Sequence, residues 1–287
     1  MRILLTGATG YIGSAVLDRL IEAGHHVVAA VRNDEAAAVV AARGARPAVG
    51  DLTDAAWLGT ALADVDAAVH AAAPADGAAE FNASVIDTVV GSFSGTGKRF
   101  VLTSGLWIYG DGEDIDEDDA PDAPELMAWR LPLEERLLAS DVQTAIVTPG
   151  VVYGRGRGVL GLITDGPRAA SGALTLIGDG EQHWTWVHVD DLARLYLLAV
   201  EHPEPLGRLI GSDGSPTSVR AIAEAAAGPA GVVAQSVDAT RARFGTAFAD
   251  ALLMDERARG GRARDLGWVP EHTSVLDEVR AARATAA

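Results

Sequence analysis

Thr6-Gly7-Ala8-Thr9-Gly10-Tyr11-Ile12-Gly13 is the stretch of this chain that decides its fold. It follows an apolar run, Ile3 to Leu5, and leads into an amphipathic stretch, Tyr11 to Ala23. A turn of small residues between a strand and a helix brings backbone N–H groups against a pyrophosphate at the positive end of the helix. The stretch and its flanks therefore predict a dinucleotide site.

The three glycines of this loop have separate roles in such a site. Gly7 permits the tight turn, Gly10 the close approach of the backbone, and Gly13 the packing of the helix on the strand. The chain has 32 glycines, so an ordinary Gly-rich turn is the alternative. The flanking strand and helix favour the nucleotide site.

Composition narrows the class of protein. A chain of 287 residues, 48% of them hydrophobic, can bury a large core as one domain or as a main domain with a smaller lobe. It has no cysteine, which excludes disulfides and thiolate chemistry. The net charge of -17 argues against nucleic-acid binding, which needs a basic face. The first strand is predicted within the first few residues, which leaves no room for a signal peptide. No apolar run approaches the ~20 residues of a membrane span. We therefore expect a cytoplasmic protein without membrane contact.

The first half of the chain alternates between strand and helix patterns. Strands are predicted at 3–6, 25–31, 46–49, 67–71, 99–103 and 144–148, with helices at 11–23, 34–43, 54–62, 78–93 and 124–139 between them. Apolar strands separated by helices are typical of a parallel sheet covered on both faces. The expected fold is a doubly wound α/β parallel sheet.

The second half is less regular. Residues 150–186 are rich in glycine with a hairpin expected around Gly178-Asp179-Gly180, and helices are predicted near 189–201, 217–227, 238–253 and 273–284. We expect 1–149, with segments near 187–212, to form the dinucleotide-binding domain. Residues 150–186 and 213–287 are expected to form a smaller substrate-binding lobe.

The residue that follows the second strand selects the cofactor. An acidic residue there would bind the adenosine ribose of NAD, whereas Arg32 pairs with a 2′-phosphate. The sequence thus favours NADP(H) over NAD(H), with an unliganded surface arginine as the alternative. Asp51 and Leu52 lie where an adenine edge would be held, and Ala71-Ala72-Ala73 are small enough for the nicotinamide ribose to cross the sheet.

Several segments, in this order and spacing, resemble the extended short-chain dehydrogenase/reductase superfamily, the NAD-dependent epimerase/dehydratase family. They are the loop 6–13, Gly50-Asp51-Leu52, His70-Ala71-Ala72-Ala73, Thr103-Ser104-Gly105 with Tyr109-Gly110, Pro149-Gly150-Val151-Val152-Tyr153-Gly154, and Trp186-Val187-His188-Val189-Asp190-Asp191-Leu192-Ala193. The resemblance implies a Rossmann domain, a C-terminal lobe that closes over a small substrate, and often a homodimer.

The resemblance also implies positions for the site residues. Ser104 would lie beside the nicotinamide with its hydroxyl toward a substrate oxygen; a strand-end serine with a local backbone bond is the alternative. The residues expected to bind the cofactor are Gly7, Thr9, Gly10, Tyr11, Ile12, Gly13, Arg32, Asp51, Leu52, Ala71, Ala72, Ala73, Thr103, Pro149, Val151 and Val152.

The chain departs from this family at its catalytic pair. Members that transfer hydride use a Tyr-x-x-x-Lys pair, in which the lysine lowers the pKa of the tyrosine and binds the ribose. The only lysine, Lys98, precedes the Ser104 strand, and Met127 and Leu131 fall at the tyrosine and lysine positions. The usual acid is absent.

Other residues of this region are candidates for the vacated site. Arg130, next to Trp129, could bind an anionic or carbonyl oxygen; an ion pair with Glu134, four residues on, is the alternative. Tyr109 and His183 are the candidate acids, each with a packing role as the alternative.

Four tryptophans, an acidic run and the histidines complete the candidate groups. Either pocket walls or lobe packing would account for Trp107, Trp129, Trp184 and Trp186. The nine acidic residues of 111–125 indicate a solvated loop rather than a metal site, and no histidine spacing suggests a metal.

Two functions stay open. One is an NADP(H)-dependent oxidoreductase or epimerase-like enzyme acting on a small carbonyl or hydroxyl compound; the other is a catalytically silent NADP(H)-binding redox sensor.

Overall fold

The computed structural model of the chain describes residues 1–286, which divide into two compact units. The first unit comprises Met1–Ser104, Trp129–Thr148 and Leu192–Leu209. The second comprises Gly105–Ala128, Pro149–Asp191 and the chain from Ile210 onward. Residues 105–128, expected in the dinucleotide-binding domain, thus lie in the second unit.

The strands are given in chain order. They are β1 (Arg2–Thr6), β2 (His26–Val31), β3 (Arg46–Val49), β4 (Ala67–His70), β5 (Arg99–Thr103), β6 (Gly112–Ile115), β7 (Gln143–Pro149), β8 (Val151–Tyr153), β9 (Leu174–Thr175), β10 (His183–Trp184), β11 (Trp186–His188), β12 (Gly207–Gly211), β13 (Thr217–Ser218), β14 (Val232–Val233) and β15 (Glu256–Ala258).

The helices follow the same order. They are α1 (Tyr11–Glu22), α2 (Asp34–Ala42), α3 (Ala55–Ala63), α4 (Ala78–Phe93), α5 (Glu125–Ala128), α6 (Arg130–Leu138), α7 (Gly161–Thr164), α8 (Val189–Glu201), α9 (Val219–Ala227), α10 (Val237–Phe244), α11 (Thr246–Leu252), α12 (Gly261–Asp265) and α13 (Val275–Ala286). Within residues 1–286, no helix is long and apolar enough to cross a membrane.

A central sheet positions the site. Among the described residues it has seven strands in the order β12-β7-β5-β4-β1-β2-β3, and the pairs from β3 to β7 are parallel. The chain runs outward through β1, β2 and β3 and then returns to β4 on the other side of β1. The strand order therefore reverses between β1 and β4, which is where doubly wound sheets bind ligands at their carboxyl edge. The predicted α/β parallel-sheet fold is confirmed.

Helices α2 and α3 begin within one residue of their predicted positions, and each is capped by a short polar side chain. Asn33 accepts a hydrogen bond from the Ala36 N–H at 2.9 Å, and Asp54 accepts one from the Ala56 N–H at 3.0 Å. Each satisfies one of the donors that an N-terminal turn leaves unpaired. The bounds of α2 and α3 follow from these caps.

Two long predicted helices are each interrupted once. The helix expected at 124–139 is divided at Trp129, between α5 and α6. Pro132 has no N–H for the carbonyl of Ala128, which removes a bond of the continuous helix. The helix expected at 238–253 is divided at Gly245, whose φ of +80° does not belong to a right-handed helix.

The hairpin expected around Gly178-Asp179-Gly180 is wrong. The flanking strands β9 and β10 do not pair with each other: β9 pairs with β14 and β10 with β13. The two glycines do form a turn, with φ of +63° and +79°. Glycine marks the turn but carries no information on the strands that pair beside it.

Each unit has its own apolar core. In the first unit the core lies between the sheet and α3, α4 and α6, around Leu58, Val85, Ile86, Phe93 and Phe100. In the second it surrounds Tyr153, Leu174, Trp184, Trp186, Ile222 and Val279. The carboxyl edge of the central sheet is thus supported by a packed core.

Candidate functional site

The loop between β1 and α1 has no room for side chains at two of its glycines. Gly7 has φ +72°, and a Cβ there would lie 2.4 Å from the Ala71 carbonyl oxygen. A Cβ on Gly13 would lie 2.1 Å from the Gly7 carbonyl oxygen. The helix begins after Gly10 without a side-chain cap, so its first N–H groups remain available to an anion. This cradle fits a dinucleotide pyrophosphate.

Arg32 directly follows β2, at the carboxyl edge of the sheet. Its side chain is exposed, and among residues 1–286 no group pairs with its guanidinium. A cation without a protein partner at this place can receive a 2′-phosphate.

Asp51 lies at the same edge, after β3. Its carboxylate accepts hydrogen bonds from the Thr53 N–H at 2.8 Å and from the Thr53 hydroxyl at 2.7 Å. These bonds hold the pKa of Asp51 below its ordinary value, since they stabilise the charged form. Leu52 packs partly against the core of the first unit. A fixed carboxylate beside an apolar side chain suits an adenine edge.

A buried polar chain joins the carboxyl ends of β1 and β4. Thr6 Oγ1 lies 2.8 Å from His70 Nδ1, and His70 Nε2 lies 3.2 Å from Asn82 Oδ1. Burial lowers the pKa of His70 to about 4, so the imidazole is neutral at pH 7. Ala71, Ala72 and Ala73 follow directly and leave this edge free of large side chains.

Arg130 lies at the carboxyl end of β5. Its Nη1 donates a hydrogen bond to the Thr103 carbonyl oxygen at 3.2 Å, and its guanidinium stacks over the Trp129 ring at 4.4 Å. Its Nε is buried without a hydrogen-bond partner among the described residues. Within residues 1–286 Arg130 forms no ion pair with Glu134, so the expected i,i+4 pair is not formed.

Glu134 is instead held by residues distant in sequence. The Ser104 hydroxyl donates to Glu134 Oε1 at 2.5 Å, and Arg208 donates to Glu134 Oε2 through Nη2 at 3.0 Å. Ser104 and Glu134 are both buried. The structure thus places the Ser104 hydroxyl against a carboxylate inside the first unit.

Tyr109 and His183, the two candidate acids, both lie in the second unit. Tyr109 ends a short 3-10 helix, Leu106–Tyr109, and is buried. His183 Nδ1 lies 3.5 Å from Asp255 Oδ2, and the Asp255 N–H donates to Asp111 Oδ1 at 2.8 Å. Asp255 therefore connects the strand of His183 to the segment that follows Tyr109.

The remaining predicted cofactor residues are divided between the units. Thr103 ends β5, and its hydroxyl lies 2.6 Å from the Tyr196 hydroxyl in the first unit. Pro149, Val151 and Val152 belong to the second unit, where β8 pairs with β11 in parallel.

The tryptophans of the second unit pack rather than line an open surface. Trp184 and Trp186 lie inside its core with ring centroids 5.7 Å apart. Trp107 meets the ring of Phe248 edge-on at 6.0 Å. His188 stacks on His272 with a centroid distance of 3.7 Å. Trp184 and Trp186 thus pack inside the second unit, as the alternative to pocket walls holds. Trp129 lies beside Arg130 in the first unit.

Most of the acidic run at 111–125 is exposed, but Glu117 is buried and accepts a hydrogen bond from the Ile210 N–H, and other carboxylates of the run are paired. Asp114 accepts a hydrogen bond from Arg259 Nη2 at 2.7 Å, and Asp118 lies 2.5 Å from Arg262 Nη2. Arg259 directly follows β15 and Arg262 lies in α12, about 145 residues away in sequence. Among residues 1–286, no group of three or more His, Cys, Asp or Glu side chains could hold a metal ion.

Sequence reasoning missed Arg208 as the partner of Glu134. The two residues are 74 positions apart, and an arginine on a late strand carries no local sign of its partner. It also missed Glu256, a buried carboxyl in the second unit whose Oε1 has no described partner. Burial raises the pKa of Glu256 well above its ordinary value.

Comparison with known proteins agrees with this geometry. The NAD dependent epimerase/dehydratase family matches residues 3–209. Among curated relatives, 2-alkyl-3-oxoalkanoate reductase of Stenotrophomonas maltophilia is 29% identical over 77% of this chain and 73% of its own. Epimerase family protein SDR39U1 of Homo sapiens is 27% identical over 97% of this chain and 99% of its own.

Solved structures share the fold. The crystal structure of human SDR39U1 with NADPH aligns with a TM-score of 0.77 at 20% identity, covering 99% of both chains. UDP-glucose 4-epimerase of Thermus thermophilus in complex with NAD aligns with a TM-score of 0.72 at 19% identity, covering 98% of this chain and 97% of its own. With its dinucleotide cradle and without a Tyr-x-x-x-Lys pair, this chain belongs to the NAD-dependent epimerase/dehydratase family, as an atypical extended short-chain dehydrogenase/reductase of NAD(P)-binding type.

Proposed function

We propose that this protein is an NADP(H)-dependent oxidoreductase that acts on a small carbonyl or hydroxyl compound. The observation that carries the proposal is Arg32, an exposed guanidinium without a described partner at the end of β2. A carboxylate at this place would repel a 2′-phosphate, whereas the planar guanidinium can bind it with two parallel hydrogen bonds. The NADPH in the human SDR39U1 structure supports this cofactor.

The first unit would bind and orient the cofactor through groups that have little freedom to move. The uncapped N–H groups of α1 would hold the pyrophosphate, and Arg32 the 2′-phosphate. The chemistry that the cofactor would supply when bound is hydride transfer. Fixed orientation of the two reactants accounts for much of the rate in such transfers.

A proton must reach the oxygen of a reduced carbonyl, and the usual tyrosine is absent. Tyr109 and His183 are the candidate donors. His183 is the one of the two whose ring nitrogen lies beside a carboxylate, with Nδ1 3.5 Å from Asp255 Oδ2, an arrangement that can orient the ring. Arg130 would bind an oxygen but not deliver a proton, since guanidinium groups do not titrate near pH 7.

Calorimetric titration with NADPH and NADH tests the cofactor choice. Wild type should bind NADPH at least tenfold more tightly than NADH, a difference of ~1.4 kcal/mol. Arg32→Ala should remove most of that difference and leave NADH affinity unchanged. Arg46→Ala is the matched control, because Arg46 is also exposed but lies at the amino end of the neighbouring strand β3. Equal affinities of wild type for the two cofactors would overturn the NADP(H) assignment.

A catalytically silent redox sensor is the second candidate, because Met127 and Leu131 occupy the positions of the catalytic pair. A sensor would bind NADPH tightly but leave it unoxidised with every member of a panel of aldehydes, ketones and β-keto esters. Turnover with any of these compounds that is lost on His183→Ala or Tyr109→Phe would favour the enzyme.

A further inference from the structure

Two guanidinium groups and one carboxylate lie together near the carboxyl end of β5. Glu134, the carboxylate, is buried, and its two oxygens accept from Ser104 and Arg208. The Arg208 side chain is 15% exposed, so its charge and that of Glu134 compensate each other in a largely dry environment. Arg130 is the second guanidinium; it forms no salt bridge among the described residues, although the Glu134 charge acts on it at longer range and favours its charged form.

The other titratable side chains near Arg130 are uncharged. His70 is neutral at pH 7, because burial lowers its pKa to about 4. Burial raises the pKa of Tyr196, so its phenol keeps its proton. Together the two guanidinium groups and the Glu134 carboxylate carry one net positive charge, and Arg130 is the member that forms no salt bridge among the described residues.

The Arg130 guanidinium has one nitrogen that is buried and makes no hydrogen bond to the described residues. Its Nη1 bonds to the Thr103 carbonyl and one face covers the Trp129 ring, but Nε has no described partner. Thr103 is the last residue of β5, so Arg130 lies at the edge where a doubly wound sheet binds its ligand.

The strand order assigns the two halves of a dinucleotide to opposite sides of β1. Arg32, after β2, marks the side of the 2′-phosphate and adenosine. The pyrophosphate cradle follows β1 itself, and the order reverses between β1 and β4. The nicotinamide half therefore belongs on the side of β4 and β5, which is the side of Arg130.

We propose that the positive charge of Arg130, which forms no salt bridge among the described residues, makes this site select the reduced cofactor over the oxidised one. The oxidised nicotinamide ring carries a positive charge that Arg130 repels, whereas the reduced ring is neutral; the phosphates are the same in both forms. The inference rests on the proposed NADP(H) function. It implies that NADPH occupies the protein in preference to NADP⁺ where both are present, so that the protein can respond to the NADPH level.

Calorimetry with three probes, NADPH, NADP⁺ and 2′,5′-ADP, tests this selection. Wild type should bind NADPH more tightly than NADP⁺, and Arg130→Gln should reduce the ratio of the two dissociation constants roughly fivefold. Arg130→Lys, which keeps the charge, should retain the ratio. Arg136→Gln is the control on the same helix, where Arg136 is exposed and paired with Asp87.

The third probe separates this inference from the proposed function. 2′,5′-ADP has no nicotinamide, so Arg130→Gln should leave its affinity unchanged, whereas Arg32→Ala should weaken it. If wild type binds none of the probes, the NADP(H) function and the inference both fail. If wild type binds them but Arg130→Gln leaves the NADP⁺ to NADPH ratio unchanged, or weakens 2′,5′-ADP equally, the inference alone is overturned.

Discussion

The Ser104 hydroxyl donates a 2.5 Å hydrogen bond to the Glu134 carboxylate, and both side chains are buried in the first unit. The bond joins the end of the β5 segment to helix α6, and Arg208 adds a charged bond from β12. A hydroxyl whose hydrogen is directed to a buried carboxylate is not a free donor to a second oxygen. The network thus holds α6, and with it Arg130, against the sheet.

Loss of Glu134 should destabilise the protein strongly. Glu134→Ala removes the buried carboxylate that binds both Arg208 and the Ser104 hydroxyl, which we expect to cost about 3 kcal/mol in the free energy of unfolding. Glu134→Gln keeps the acceptor for Ser104 and should cost less. Glu135→Ala is the matched control, because Glu135 is the next residue on α6 and is exposed. Urea unfolding of the three variants measures the effect, and equal stabilities of Glu134→Ala and Glu135→Ala would contradict it.

Gly13→Ala should abolish dinucleotide binding and lower stability, because the new Cβ would meet the Gly7 carbonyl at 2.1 Å and backbone atoms cannot move aside cheaply. Gly91→Ala is the control. Gly91 lies exposed in α4 with no atom within 4 Å of its added Cβ, so alanine should stabilise the helix by about 0.5–1 kcal/mol. Thermal unfolding with and without NADPH measures both. A Gly13→Ala protein that binds NADPH normally would show that the loop does not hold the pyrophosphate.

The regular half of the fold could be predicted because its signals are local. Apolar strands, polar caps such as Asn33 and Asp54, and the glycines of the 6–13 loop each act within a few residues. The predicted bounds of the strands and helices up to residue 103 agree with the structure to within one residue or two. The interruption at Trp129 also has a local cause, Pro132, which is visible in the sequence. The helical pattern of 124–139 nevertheless predicts one continuous helix.

The polar network of the site could not be predicted, because its partners are distant in sequence. The i,i+4 spacing of Arg130 and Glu134 predicts a pair that is absent from the described residues, since the buried Glu134 binds Arg208 instead. The acidic run similarly gives no sign that Arg259 and Arg262 would bind it. Such pairs form because tertiary packing brings together residues that are distant in sequence. The local pattern of each segment predicts only that its charged residues are exposed to solvent.

Asp213 introduces a pH dependence of stability in the second unit. Burial, with the nearby Asp191 carboxylate adding to it, raises the pKa of Asp213 to about 7. Its Oδ1 accepts from the Ser215 N–H at 2.8 Å, but Oδ2 is buried without a described partner. The folded protein thus favours the protonated acid, whereas the unfolded chain titrates near the ordinary value of 3.8.

The contribution of Asp213 should therefore be favourable at low pH and lost as the pH rises from about 4 to about 7. Asp213→Asn keeps the acceptor for Ser215 but cannot ionise, so its stability gain over wild type should grow across this window to a few kcal/mol at pH 8. Asp179→Asn is the matched control, because Asp179 accepts the same kind of bond from the Glu181 N–H at 3.0 Å but is exposed. Urea unfolding at pH 4.5, 6 and 8 checks the difference between the variants, and a gain for Asp213→Asn that does not change with pH would show that Asp213 is ionised throughout.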